Sequence, residues 1–355
     1  MPDEGRDKQQ EQTISRAKHA TFFSRFALKG SSDRDLTLFS REASFGPAFL
    51  FSSICLLLSF LASVYLPDKV WFFDKTSLIG FTLLSMLRYS FVVWVPVFFF
   101  TKYYRLPDQS ILGENPGLGA FLLSALSGIP FAAIVIALSN LQTYFLVINR
   151  LSLPEAAFLY RPVDEGSPEM IALSVIATIL LPVIAEETLF RGFFFASLRG
   201  VKREFLTVLL SALLFTAFSL DPVRIIPTFL TGLLLSFIRR NTGNVFCSMI
   251  ARVSMLLFTF LVTDFLPLLD IRTIRGKADF DMTFVYTSVV VIVICIVGFL
   301  PVLSQLFQFG RDRVDVTSSD EDQENRRSLL SVIGGIPFFI GLLVIVCTWI
   351  LLLGV

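Results

Sequence analysis

Three residues carry charge where charge is expensive. Glu186, Glu187 and Arg191 stand inside an apolar run from about Met170 to Leu198, in the stretch Ala185-Glu186-Glu187-Thr188-Leu189-Phe190-Arg191. An ionised side chain near a bilayer centre costs roughly 2.5–3.5 kcal/mol on insertion scales, so such groups face the protein interior and find partners there. Glu187 and Arg191 are four residues apart with the acid first, the favourable order for an ion pair on a helix. Glu186 points about 100° away around the same helix and needs a partner from another element. A carboxylate in that position has the chemistry of a general base. The single histidine, His19, lies in a polar N-terminal tail, so no site can be built from two histidines. All four cysteines (Cys55, Cys247, Cys295, Cys347) fall in apolar runs, with no CxxC or Cys/His spacing. They read as buried thiols rather than disulfides. No metal site and no cofactor is expected.

The elements that hold these residues are membrane helices. Of 355 residues 54% are hydrophobic and only 17% charged, with a mean hydropathy of +0.72, against about 25% charged in a soluble domain. The chain reads as all-α, a polytopic integral membrane protein of about nine transmembrane helices in contact with the lipid bilayer. The apolar runs are roughly Phe45–Leu66, Leu78–Phe100, Leu118–Leu138, Met170–Leu198, Phe205–Leu220, Val223–Ile238, Val245–Leu269, Met282–Leu303 and Val332–Val355. Residues 1–43 form a polar tail without a signal-peptide layout, with a short amphipathic patch at Phe22–Leu28. Residues 44–303 form the membrane domain, 304–331 a charged loop and 332–355 a last transmembrane helix. Lys102/Arg105, Arg199/Lys202/Arg203, Arg239/Arg240 and Arg311/Arg313/Arg326/Arg327 fall on the side of the tail. The positive-inside rule then puts the N-terminus in the cytoplasm, in a membrane of the bacterial cytoplasmic type. A net charge of +1 excludes nucleic acid as a partner, and the 39 Phe residues fit lipid-facing packing.

A few further residues stand out. Arg88 is a second intramembrane charge with no partner evident in the sequence, placed to face the same cavity. Arg252 is a lone arginine in Val245–Leu269 and needs an anion. Ser219 is a helix hydroxyl that bonds its own backbone. Asp221, before Pro222, is a turn residue. The segment 142–168, with three prolines, is an external loop, and Gly341 allows a close helix approach.

With these residues in view, the chain resembles the CAAX-protease and bacteriocin-processing (CPBP, or Abi) family of intramembrane endopeptidases. Glu186-Glu187-x-x-x-Arg191 is similar to its first signature. Ser211-Ala-Leu-Leu-Phe-Thr-Ala-Phe-Ser219 resembles the second, FxxxH, with Phe215 kept and Ser219 in the histidine's place. Pro227 to Gly232 and Arg239 to Asn244 resemble the approach to the third. Ile250-Ala-Arg252-Val-Ser-Met-Leu256 stands where the family has HxxxN. There Arg252 replaces the histidine and Leu256 the asparagine. The resemblance covers about 170–263 and implies a CPBP-type helical core in which a glutamate activates water for attack on a peptide carbonyl. Glu186, Glu187 and Arg191 are the implied catalytic residues. Phe215, Ser219, Arg252 and Leu256 are the implied cavity positions.

At about 1.5 Å per residue, Glu186 lies roughly 18–20 Å deep, Ser219 about 24 Å and Arg252 about 12 Å, so long side chains can meet. Pairing Glu186 with Arg252 makes the cluster neutral and Glu186 a poor base, and arginine cannot shuttle a proton. The expected function is therefore a catalytically degenerate family member. It would bind a hydrophobic or lipidated peptide, or the helix of another membrane protein, in its cavity. An active endopeptidase with a rewired site is the alternative, with Arg252 and Ser219 as oxyanion donors. A transporter or channel is a third reading, but no internal repeat supports it.

Overall fold

The computed structural model describes residues 45–66, 78–103, 111–113, 115–151, 168–198, 204–265, 282–317 and 335–354. The tail with His19 and Phe22–Leu28, the basic cluster at 199–203, residues 152–167 and residues 318–331 lie outside the described residues. The chain is a polytopic membrane protein made of helices. Among the described residues eight helices are long and apolar enough to cross a membrane, and a ninth apolar helix is shorter.

In chain order, α1 is Phe45–Tyr65. Helix α2 runs as Leu78–Tyr89, a π-helical turn Ser90–Trp94 and Val95–Tyr103. Helix α3 is Leu118–Ile148. Helix α4 is interrupted twice: Pro168–Val175, a π turn Ile176–Leu180, Leu181–Glu187, a second π turn Thr188–Phe194, then Phe195–Ser197. Helix α5 is Glu204–Ser219, and a 3₁₀ turn Pro222–Arg224 leads into α6, Ile225–Thr242. Helices α7, α8 and α9 are Val245–Phe265, Met282–Thr317 and Gly335–Gly354.

Two of the π turns stand beside a proline. Proline has no N–H to give the carbonyl four residues back, which lets the ladder widen before it, although Pro130 of α3 and Pro301 of α8 sit in unbroken helix. Pro96 and Pro182 each stand two residues past the end of a π turn. Two helices outrun the sequence reading: α3 continues from Leu138 to Ile148 and α8 from Leu303 to Thr317. Hydropathy falls where a helix leaves the hydrocarbon, while the hydrogen-bond ladder carries on into water.

Two apolar cores lie side by side. One joins α1, α2, α4, α5 and α9 and is rich in phenylalanine: Phe45, Phe49, Phe190, Phe193, Phe194, Phe215 and Phe218 are all buried in it. These rings pack inside the protein, whereas others such as Phe91, Phe98, Phe145 and Phe205 are exposed, so the lipid-facing reading of the phenylalanines holds only in part. Edge-to-face contacts among the buried rings, such as Phe190 with Phe215 at 5.4 Å between centroids, hold them inside. The second core joins α3, α6, α7 and α8. Small residues close the seams: a Cβ on Gly232 of α6 would stand 2.9 Å from Ala212 Cα of α5. On α9, Gly341 does the same work, since a Cβ there would stand 2.8 Å from Phe49 Cδ1 of α1. The cysteines are free, Cys55 and Cys247 buried but Cys347 exposed.

Candidate functional site

The charged residues meet in the seam between the two cores. The π turn Thr188–Phe194 follows directly on Glu187, so Arg191 and the carbonyls around it sit on a locally widened helix. Arg191 Nη1 donates to Glu187 Oε1 at 3.0 Å, and both side chains are fully buried. The other end of the guanidinium, Nη2, donates to the Gly232 carbonyl at 3.1 Å. That approach is open because residue 232 lacks a side chain.

Arg252 reaches across from α7 and bridges the two adjacent carboxylates. Its Nη2 donates to Glu186 Oε2 and its Nη1 to Glu187 Oε1, the latter at 3.1 Å. The remaining oxygen of Glu186, Oε1, accepts from the Tyr89 hydroxyl of α2 at 3.1 Å. Both oxygens of Glu186 are thus engaged. Glu187 Oε2 is buried with no hydrogen-bond partner among the described residues. Phe215 serves both arginines: its ring centroid lies 4.4 Å from Arg191 Cζ and 4.9 Å from Arg252 Cζ. Two guanidinium groups on one aromatic ring, away from water, gain cation–π attraction of about 2 kcal/mol each at most.

Two carbonyls of the widened turn accept from side chains of neighbouring helices. The Phe190 carbonyl accepts from Ser211 Oγ at 3.3 Å, and the Arg191 carbonyl from Arg239 Nε at 3.0 Å. Arg239 Nη2 also donates to the Ile111 carbonyl at 3.0 Å. Arg239 is fully buried, which corrects its reading as a charge at the membrane face. It stands four residues after Leu235 and seven after Gly232, on the inward face of α6. Arg240, its neighbour, is exposed.

Beside Glu186 lies a cavity of about 20 Å³, room for about one water molecule. Arg88, Tyr89, Glu186 and Ser219 supply its polar atoms, and Val92, Val93, Leu189, Phe190, Phe215 and Phe218 its apolar wall. Arg88 does face this cavity, and its Nη2 donates to the Phe218 carbonyl at 3.2 Å. Ser219 borders the cavity, but its hydroxyl donates to the Thr216 carbonyl at 2.7 Å. Asp221 is a turn residue: it accepts from the Arg224 backbone N–H at 3.2 Å and pairs with the Arg224 side chain at 2.7 Å. Leu256 stands apart, one turn beyond Arg252. It is half-buried against the apolar cluster of Val183, Val245 and Met249 and offers no polar atom.

Residues 168–258 match the family model described as "Type II CAAX prenyl endopeptidase Rce1-like". The match covers about a quarter of the chain. The matched stretch holds α4, α5, α6 and most of α7, hence every charged residue of the cluster except Arg88. No curated protein and no solved structure matches the chain. Within the matched stretch, the structure brings together Glu186, Glu187, Arg191, Phe215 and Arg252, with Ser219 at the cavity rim. Tyr89, Arg88 and Arg239 complete the arrangement, and only Arg88 was singled out by its sequence position. Tyr89 could have been found as the next polar side chain beside that charge. The donor set does not suit a divalent cation. Both carboxylates already face guanidinium groups, and no three His, Cys, Asp or Glu side chains gather among the described residues.

Proposed function

We propose that the Rce1-like core is catalytically silent and serves as an intramembrane binding module for a hydrophobic or lipidated peptide or for the helix of another membrane protein. The observation that carries this reading is the engagement of Glu186, whose two oxygens face Arg252 and Tyr89. A general base needs a lone pair turned toward the proton it takes and a proton affinity near that of the working pH. A carboxylate with a donor already on each oxygen has fewer lone pairs left for that proton. Arg252 and Ser219 cannot replace an acid/base imidazole, the first because arginine keeps its proton, the second because its hydroxyl is spent on Thr216.

The cavity supports binding of a mainly apolar partner. It admits one polar atom, such as a hydroxyl or a carbonyl oxygen in place of a water, between Arg88, Tyr89, Glu186 and Ser219. The rest of the partner would lie on the apolar, exposed faces of α2 and α4 beside it, which include Met86, Phe91, Ile176 and Leu180. The distribution of Lys and Arg supports a cytoplasmic N-terminus for this module.

One observation favours an active endopeptidase instead: the water-sized cavity touches Glu186 directly. A single experiment decides. Purified protein in proteoliposomes is incubated with a broad library of hydrophobic and prenylated peptides and the products are read by mass spectrometry, with Glu186→Gln as control. Silence predicts no product that depends on Glu186, together with photo-crosslinking of bound peptide from a probe at Val92. Products that vanish in the Glu186→Gln protein would overturn the proposal and establish the rewired enzyme.

A further inference from the structure

Helix α5 stops at Ser219, within the helical bundle, and the chain turns there through Leu220 at φ 50°, a left-handed conformation for a buried leucine. The last carbonyls of a helix have no partner of their own, and hydrocarbon supplies none. Three successive carbonyls at this end are each met by a different side chain. Thr216 O accepts from Ser219 Oγ at 2.7 Å, Ala217 O from Trp349 Nε1 at 2.9 Å, and Phe218 O from Arg88 Nη2 at 3.2 Å. Arg88 brings positive charge to the negative end of the helix dipole as well. Trp349 comes from α9, the last described helix, far outside the matched stretch.

A second route joins α9 to the same place. Phe338 of α9 packs on Phe49 at 5.0 Å between centroids, Phe49 on Phe218 at 6.1 Å, and Phe218 lines the cavity. The bare Gly341 lets α9 sit this close to Phe49.

We infer that α9 buttresses the site from outside the cavity, with Trp349 and Arg88 as positioning residues that cap α5 and hold Phe218 and Ser219 at the cavity beside Glu186. Because the same contacts seat α9 and shape the cavity, lifting α9 opens the cavity, and filling the cavity biases the seating of α9 by the same factor. Any partner that draws α9 away therefore acts on the site. The inference holds for a silent or a hydrolytic site alike.

The test is hydrogen–deuterium exchange by mass spectrometry on the full chain in nanodiscs. Trp349→Phe keeps the ring and removes one N–H. It should raise exchange in peptides covering residues 214–224 about fivefold, the change one ordinary hydrogen bond is worth. Peptides of α7 should keep their rate. Gly341→Leu, which pushes α9 off Phe49, should reproduce that local change. Arg88→Met should do so too, and Arg88→Lys, which keeps a donor for Phe218 O, should restore part of the protection. Unchanged exchange at 214–224 in both Trp349→Phe and Gly341→Leu would overturn the inference. So would an equal rise in every helix, the mark of general loosening.

Discussion

The bridging role of Arg252 leads to an asymmetric mutant cycle. Arg252→Met strips a partner from the buried Glu187 and the part-buried Glu186 at once. Glu186 is left with the Tyr89 hydroxyl alone, and Glu187 with Arg191. Removing one member of a buried ion pair costs about 3–5 kcal/mol. Glu186→Gln is milder, because Arg252 keeps Glu187 at 3.1 Å and the Phe215 ring at 4.9 Å. It should cost roughly 1–2 kcal/mol, the range of a hydrogen bond to a charged group. In the double variant the fully buried Glu187–Arg191 pair survives as a neutral unit. The double should therefore cost about 2–3 kcal/mol less than the sum of the singles, a coupling at the upper end for residues in contact. At about 2 °C per kcal/mol for a chain of this size, Arg252→Met lowers the thermal midpoint in detergent by about 6–10 °C. Glu186→Gln lowers it by about 2–4 °C. Additive losses would refute the bridge. A higher midpoint for Glu186→Gln would mean that the carboxylate is held against the interest of the fold, as active-site groups often are.

Three further outcomes follow from single contacts. Gly232→Ala drives a methyl against the Ala212 backbone and disturbs the acceptor of Arg191, so thermal unfolding should show a loss of about 1–3 kcal/mol. Ser219→Ala removes a hydroxyl bonded only within its own helix end. It should cost about 1 kcal/mol in thermal unfolding, as the Thr216 carbonyl loses its donor, and weaken binding of a peptide whose polar atom sits in the cavity, whereas loss of a peptide-cleaving activity would give Ser219 a catalytic role. Arg239→Lys replaces a planar fork that serves the Arg191 and Ile111 carbonyls with one flexible ammonium. The midpoint should fall by an amount equal to about 1–3 kcal/mol, as one buried carbonyl is left unmet.

The intramembrane charges were legible because hydrocarbon makes them costly. Glu187 with Arg191 followed from helix spacing, and Glu186 with Arg252 from the need of a lone arginine for an anion. The second hold of Arg252 on Glu187 was not legible, since it depends on the crossing of α4 and α7 rather than on either sequence. Tyr89 and Trp349 escaped notice because an aromatic with one polar atom, set in an apolar run, looks like any interfacial residue. Arg239 misled because it adjoins the exposed Arg240 at a helix end, and only the 3.6-residue period separates an inward arginine from an outward one. The π turns leave no composition signal beyond Pro96 and Pro182. Helix cores were read closely, whereas the ends of α3 and α8 were drawn where hydropathy falls.

One arm of the α5–α6 hairpin is short. The sixteen residues of α5 reach about 24 Å, against a hydrocarbon layer about 30 Å thick. The 36 residues of α8 reach about 54 Å. The protein thus presents flanks of unequal height, and lipid beside α5 must thin to meet it at a cost of a fraction of a kcal/mol per Å. Bilayers of shorter acyl chains relieve that cost and bilayers of longer ones increase it. Membrane thickness becomes a load on the end of the helix that carries Ser219.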